Sequence, residues 1–507
     1  MQRLVDARPA LLWPAAAAAV FTAAQLVLIP GTGLGWDEIV YVTQVEGGDT
    51  PAAFFSAPRA RGVSWLSAPV AAFTDSAASP AALRVYLALL AGLGLLLALR
   101  VWRTLLPPAV LGVAGLFFAG LWVTLFYGPR AMPNLWCALG ALAATGWFLR
   151  AVRRGPGVPE DRRAPWLAAA AVGLVAVMRP ADGLWLALPL VAAALLVPAW
   201  RRHRALPLVL AAGLALGALP WVVEAYQSYG GLFARLRRAG EIQGGMGLHF
   251  AVDDQIRSLV GRTLCRPCVG PWNHRWTALW WFALPLVTAA GIVLARRAGR
   301  GAASVLAAVV AGSLAVTYLF TIDYAAPRFL LPAYALLAVP VAEALVAAVR
   351  AVGRTRGRTR VLLGGGLALA LLGHVAAQLA VAATVTERSR AQHRELTAVA
   401  AELHRLGVRP PCVVSGDQFV PVAYYAGCSS RQPVGGHDGS ITVAGLLRLQ
   451  RSSPLAVITV DGRRPPGYAD GWRPVELAGG HVAWLPPKGP DGRDRGQAAP
   501  GGRTVGP

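Results

Sequence analysis

Long apolar runs, separated by short segments rich in arginine, dominate this chain. Runs approaching the roughly 20 mostly apolar residues that a bilayer-crossing helix needs occur at 11–30, 82–101, 108–126, 133–149, 165–178, 183–200, 206–223, 276–295, 302–322, 330–349 and 361–383. The pattern predicts about eleven transmembrane helices, so the fold class is an α-helical polytopic membrane protein. The run at 165–178 is short and is expected to lie tilted or packed inside the bundle. The first run follows Arg3 and Arg8, as a signal peptide would. It is long and lacks a small-residue cleavage site on its far side, so it is read as the first membrane helix.

The segments between the runs alternate in charge. One set holds Arg3 and Arg8, Arg100 and Arg103, Arg150 to Arg163, Arg201, Arg202 and Arg204, Arg296, Arg297 and Arg300, and Arg350 to Arg360. The positive-inside bias puts these loops and the N-terminus in the cytoplasm. The other set faces outward: the loop 31–80, three short turns, the loop 224–275, and everything after about residue 384. The reading is therefore a transmembrane domain over 1–383 and an extracytoplasmic domain over 384–488. In the latter, an amphipathic helix at 388–406 and buried strands at 412–415 and 455–460 suggest a small α/β unit. From Gly489 the chain is rich in Gly, Pro and Arg and is expected to be disordered.

Composition agrees. The chain is 55% hydrophobic and only 14% charged, well under the quarter or so typical of soluble domains. A net charge of +23 raises nucleic acid as a partner, but the arginines sit in short clusters between apolar runs and report topology. Cys265, Cys268, Cys412 and Cys428 fall on outward segments, where disulfides form readily. Their pairing is open from spacing alone. Cys137 lies in the fourth run and is expected to pack there.

Candidate chemistry gathers at the outer surface. Gly35-Trp36-Asp37-Glu38-Ile39-Val40-Tyr41 follows the first run, and two adjacent carboxylates at a membrane surface are costly to hold. They serve either as helix-capping charges, with Asp37 as N-cap, or as a general base for an acceptor hydroxyl. The short outer turns each carry one arginine, Arg130, Arg179 and Arg328, against the positive-inside bias. Guanidinium groups bind phosphate bidentately, so these three are candidates for a lipid-borne phosphate, with snorkelling to headgroups as the alternative. Secondary substrate contacts are Tyr41, Tyr324, His249 and Arg257. Glu241, Asp253 and Asp254 share the long outer loop, whose Gly-rich stretch 240–247 suits a moving segment. Glu343 and His374 fall inside late runs; Glu343 is expected to pair across the bundle or reach its edge.

Asp-Glu in the first outer loop, with an aromatic residue three positions on, resembles the signature of GT-C glycosyltransferases, which include protein O-mannosyltransferases and aminoarabinose transferases of lipid A. Met178-Arg179-Pro180-Ala181-Asp182-Gly183 is similar to an Arg-Pro turn common in these enzymes. Tyr324-Ala325-Ala326-Pro327-Arg328-Phe329-Leu330-Leu331-Pro332 resembles their "R-[FY]-L-L-P" stretch. In the turn between the third and fourth runs, Asn134 stands where relatives often carry an acidic residue, which puts a second carboxylate there in doubt.

The resemblance implies an enzyme of the inner membrane, a hexosyl- or pentosyltransferase such as a mannosyltransferase. Its donor would be a sugar on a polyprenyl-phosphate carrier. Its acceptor would be a hydroxyl of a glycan, lipid or protein of the cell envelope. Asp37 would map to the catalytic aspartate with Glu38 beside it, and the arginines would receive the carrier phosphate. No nucleotide cofactor is expected. The family differs in metal dependence, and this sequence shows no convincing metal cluster. The rival readings are a lipid or glycan flippase, which would show repeats and midplane polar residues, and a non-catalytic envelope scaffold.

Overall fold

The computed structural model describes residues 8–75, 79–153, 161–245, 247–433, 440–460 and 462–487. Arg3 and the Gly489 tail lie outside the described residues. Among these, the helices in chain order are α1 (Arg8–Leu28), α2 (Trp36–Val42), α3 (Gly62–Ala71), α4 (Ser79–Val101), α5 (Pro108–Gly120), α6 (Trp122–Tyr127), α7 (Pro133–Val152), α8 (Ala164–Met178) and α9 (Pro180–Leu196). They continue with α10 (Ala205–Ser228), α11 (Leu232–Ile242), α12 (Val252–Ser258), α13 (Leu279–Arg297), α14 (Gly301–Phe320), α15 (Leu331–Arg354), α16 (Gly357–Arg405), α17 (Phe419–Ala426) and α18 (Val443–Leu449). Two compact units result. The first comprises Met1–Pro30, Ala57–Ser67 and Ala81–Arg388; the second comprises Gly31–Ser56, Ala68–Pro80 and Ser389–Pro507.

The first unit is a helical bundle. Seven helices, α4, α7, α10, α13, α14, α15 and α16, are long and apolar enough to cross a membrane, and α1, α5, α8 and α9 are shorter apolar helices. They stand at the positions that the apolar runs predict. Small residues set their spacing where backbones meet. A Cβ on Gly217 of α10 would lie 2.2 Å from the Gly173 carbonyl oxygen of α8, and one on Gly213 would lie 2.3 Å from that of Ala169. Lipid offers no hydrophobic drive for helices to associate, so such close backbone approach supplies the packing.

Two expectations are corrected. The run 108–126 is not one helix: it breaks at Leu121, whose ψ is 132°. The break exposes the Trp122 N–H at membrane depth, where an unpaired backbone donor costs several kcal/mol or so. The side chain of Gln378, buried on α16, accepts it at 2.9 Å. In addition, the last run and the amphipathic helix at 388–406 are one helix of 49 residues, α16. The junction Thr384-Val385-Thr386-Glu387 holds neither Gly nor Pro, so nothing in it stops the helix.

Two buried ionic side chains of the bundle, Glu343 and Arg235, are each paired. Glu343 of α15 accepts from Arg300 Nε at 2.6 Å and Nη2 at 2.7 Å, a bidentate pair across elements as expected. Arg235 on α11 is fully buried. It donates to the Ala57, Trp221 and Arg59 carbonyls at 3.0, 2.6 and 3.0 Å and to Glu224 Oε2 at 2.8 Å. Glu224 Oε1 also accepts from Arg61 Nη2 at 2.6 Å. This network fastens residues 57–61 to the end of α10 and to α11. A buried charge is tolerated when its donors are saturated in this way.

The second unit is built on a five-stranded sheet of order β2-β1-β3-β5-β4. Its strands are β1 (Val413–Gly416), β2 (Ser429–Ser430), β3 (Leu455–Val460), β4 (Arg473–Glu476) and β5 (His481–Leu485). β1 pairs in parallel with β2 and β3, while β5 runs antiparallel to β3 and β4. Val413, Leu446, Leu455, Val457, Ala469 and Trp472 form the core on one side. The disulfides are Cys265–Cys268 and Cys412–Cys428, the second linking the starts of β1 and β2. Cys137 is a buried free thiol. Residues 31–56 and 68–80 of the first outer loop cluster with this sheet.

Candidate active site

Two sets of candidate side chains emerge, one in each unit. In the second unit, the loop 31–35 enters α2. Gly35 is the N-cap in extended backbone, and its N–H donates to Glu38 Oε2 at 3.0 Å. Glu38, buried, therefore supplies the carboxylate half of a capping box on its own helix, Gly35 having no side chain to return the bond. Asp37 stands beside it in the first turn, half-buried. The N-cap is thus Gly35 rather than Asp37, and the two carboxylates have unequal surroundings. Glu38 is engaged in holding the turn; Asp37 retains partial exposure.

α17 holds this segment in place. The Trp36 ring meets Phe419 edge-on with centroids 5.1 Å apart. The Tyr425 hydroxyl accepts from the Leu34 N–H at 2.8 Å and donates to the Leu34 carbonyl at 3.4 Å. The Tyr424 hydroxyl donates to Glu46 Oε1 at 2.8 Å. Gly33 has no room for a side chain, since a Cβ would lie 2.3 Å from the Tyr425 hydroxyl and 2.5 Å from His393 Nδ1. Burial pushes the Glu46 carboxyl above the usual range, against the lowering effect of hydrogen bonds from Ser79 and Tyr424. Burial and the adjacent Glu46 carboxylate push the Tyr424 phenol far up. Tyr41 is buried with its ring 5.9 Å from Phe55, so it serves packing here.

The first unit carries the arginines. Arg179 and Arg328 approach the same ring: their guanidinium carbons lie 5.1 and 5.2 Å from the centroid of Phe329. Tyr318 stacks on Phe329 at 4.8 Å and also lies 5.4 Å from Arg179. Tyr324 meets Phe329 at 5.6 Å, and Arg266 lies 4.8 Å over Tyr324. Arg328 further contacts Tyr127 at 5.6 Å, whose neighbour Phe126 lies 3.9 Å under Arg130. The three arginines expected from the outer turns thus border two adjoining ring clusters, Tyr318, Tyr324 and Phe329 and then Phe126 and Tyr127, which Arg328 bridges. Guanidinium groups over aromatic faces gain cation–π attraction and keep their planes fixed.

Other residues fix this arrangement. Asp182, buried at the start of α9, accepts a short hydrogen bond from Tyr318 and stands 3.9 Å from Arg179. Arg328 Nη1 donates to the Thr263 carbonyl at 3.0 Å. Cys265 and Ala325 exchange backbone hydrogen bonds of 2.8 and 2.9 Å, so the disulfide loop is pinned just ahead of Arg328. Arg266, between the two cysteines, also donates to the Ile242 carbonyl at 3.1 Å. Sequence reasoning passed over Asp182, Tyr318 and Arg266. The C-x-x-C spacing drew attention to the thiols, and Tyr318 reads as ordinary apolar content of its run.

His249 and Arg257 are not gathered here. The His249 N–H donates to the Phe320 carbonyl at 3.0 Å. Arg257 pairs with Asp253 at 2.6 Å along α12, and the i,i+4 spacing makes that pairing local. Asn134 is buried at the start of α7, and its Nδ2 lacks a hydrogen-bond partner among the described residues. His374 stacks on Phe117 at 5.8 Å. Among the described residues, no three His, Cys, Asp or Glu side chains gather in a metal-holding group.

No protein-family model matches the chain, and no curated protein matches it by sequence. Solved structures do match. ArnT from Cupriavidus metallidurans bound to undecaprenyl phosphate superposes with a TM-score of 0.66 at 13% identity, over 93% of this chain and 97% of that one. Its apo form gives 0.64 at 12% identity. The archaeal oligosaccharyltransferase AglB from Archaeoglobus fulgidus, in complex with an inhibitory peptide and a dolichol-phosphate, gives 0.52 at 14% identity. That match covers 83% of this chain and 64% of AglB. The chain shares the fold of these ArnT structures, with many apolar helices as in a multi-pass membrane protein.

Proposed function

We propose that this chain is a membrane glycosyltransferase that moves a sugar from a polyprenyl-phosphate donor to an acceptor hydroxyl on the extracytoplasmic face. The observation that carries the reading is the pair of adjoining ring clusters bordered by Arg130, Arg179 and Arg328, in a fold shared with an ArnT structure that holds undecaprenyl phosphate. In the reaction, the acceptor oxygen attacks the anomeric carbon of the sugar. The bond from that carbon to the phosphate oxygen breaks, and configuration inverts. Asp37 takes the hydroxyl proton as general base. Glu38, through its bond to Gly35, keeps α2 in position. The departing phosphate gathers negative charge, which guanidinium groups stabilise.

The sugar is a hexose or a pentose, with mannose among the candidates, and the acceptor is a glycan, lipid or protein of the envelope. The N-terminus and the loops with clustered arginines, such as 201–204 and 296–300, are cytoplasmic, in the inner membrane, and the sheet unit and the turns of Arg130, Arg179 and Arg328 are extracytoplasmic. The test offers the purified protein in liposomes a panel of polyprenyl-phosphate sugars with envelope extract as acceptor. Release of free polyprenyl phosphate from one donor class supports the reading and names the sugar. Movement of intact donor between leaflets without any release would point instead to a flippase.

A further inference from the structure

The C-terminal half of α11 buries Ile242 and exposes Glu241, as a helix in water would, but its first half is reversed. Its buried face carries Arg235, saturated by Ala57, Arg59, Trp221 and Glu224. Its outer face carries Phe233, 84% exposed, and Leu236, 49% exposed. A helix facing water does the reverse, placing charge outside and apolar side chains within. An exposed apolar face of this kind marks a surface that meets something other than water.

Its place in the bundle identifies what covers it. α10, long and apolar enough to cross a membrane, ends at Ser228, and α11 begins at Leu232. The outward face of α10 stays apolar into its last turn, with Leu219, Val223 and Tyr226 exposed, and closes on the exposed polar Gln227 and Ser228. Beyond α11, the N–H groups of His249 and Ala251 donate to the Phe320 and Leu319 carbonyls at the end of α14, each at 3.0 Å. Between and before them, Leu248 and Phe250 are 95% and 75% exposed. The Phe250 ring lies 5.9 Å from Phe320, the last residue of α14. Two exposed aromatic residues thus stand where two apolar helices end, the level at which aromatic side chains collect in membrane proteins. Arg237, exposed on α11, adds a cation suited to lipid phosphates.

We propose that α11 and the segment 247–251 form an interfacial anchor, with Phe233, Leu236, Leu248 and Phe250 immersed in the headgroup and upper acyl region of the bilayer. The occupant of this face is lipid, in continuity with the lipid face of α10. The Arg235–Glu224–Arg61 network holds the anchor against the bundle. Its four apolar side chains are distinct from those of the arginine and aromatic group, which α11 meets at its end through the Arg266–Ile242 bond.

The test uses the full chain in nanodiscs containing anionic phospholipid, with nitroxide labels at Phe233→Cys and Phe250→Cys. The native cysteines do not interfere, since four are in disulfides and Cys137 is buried. Leu216→Cys, exposed on α10, gives the lipid reference, and Arg473→Cys, exposed on β4, gives the aqueous one. Power-saturation spectra should show collisions with oxygen exceeding those with a water-soluble nickel complex at both sites, shifted toward the Leu216→Cys value. An Arg237→Gln background should shift the Phe233→Cys label toward water in anionic discs and not in zwitterionic ones. Labels at both sites that collide with nickel as readily as Arg473→Cys does would overturn the proposal.

Discussion

At the scale of single residues, the arginines show why side-chain type matters beyond charge. Arg179 and Arg328 share the Phe329 ring, and a guanidinium on an aromatic face combines a fixed plane with a fork of N–H donors whose geometry matches phosphate oxygens. An ammonium group keeps the charge but loses the plane and the fork. Arg328→Lys is therefore expected to weaken binding of undecaprenyl phosphate about tenfold, or about 1.4 kcal/mol, measurable by titration in detergent. Unchanged affinity would remove Arg328 from the phosphate reading. These arginines were legible because each breaks the charge bias of its turn. Arg266 was not, since it hides between two cysteines, and Asp37 and Glu38 could not be told apart by spacing. The Gly35–Glu38 hydrogen bond and the deeper burial of Glu38 separate them.

At the scale of elements, two polar contacts hold what sequence periodicity leaves undefined. Gln378 accepts the Trp122 N–H at the break between α5 and α6. Gln378→Leu leaves that donor unpaired and should cost about 1–3 kcal/mol, seen as a lower apparent melting temperature in detergent; an unchanged value would mean that the break needs no side-chain partner. Glu46 ties residues 31–56 to α17 through Tyr424. Its pKa lies above the ordinary 4.5 because of burial, so the folded unit binds this proton more tightly than the unfolded chain does. The stability that the group contributes is full below about pH 4.5 and is lost as pH rises through the raised pKa. Glu46→Gln should flatten that decline, as followed by thermal unfolding across pH; an unaltered pH profile would contradict the assignment.

The apolar runs located the long helices of the bundle, α4, α7, α10 and α13 to α16, because run length is what a span requires. They missed the break at Leu121 and the continuity of α16, since both depend on partners or on the absence of a breaker. β3 stood out as a continuous apolar run. β4, with Arg473 and Glu476 at its ends, carries too little apolar signal to be found alone.

At the scale of the molecule, an ArnT-like fold carries a carboxylate-bearing turn in one compact unit and an arginine and aromatic group in the other. In the first unit, residues 57–61 are tied by Arg235 to α11. Gly62, next in the chain, packs so closely that a Cβ would lie 2.7 Å from the Val177 carbonyl oxygen, just before Arg179. The close packing at Gly62 thus carries a prediction of its own. Gly62→Val should disturb the Arg179 turn and lower turnover more than it lowers folding yield, judged by activity per folded molecule. Equal losses of both would make Gly62 a purely structural position.

The central claim is that Asp37 is the base of a transferase that uses a lipid-linked sugar. Its most direct test compares release of polyprenyl phosphate by wild type, Asp37→Asn and Glu38→Gln in liposomes with the preferred donor. Removing a general base should slow release by about 10²–10⁴-fold in Asp37→Asn, with the protein folded and donor affinity retained. Glu38→Gln, which keeps an acceptor oxygen for the Gly35 N–H, should retain most turnover. Equal activity in wild type and Asp37→Asn would contradict the account.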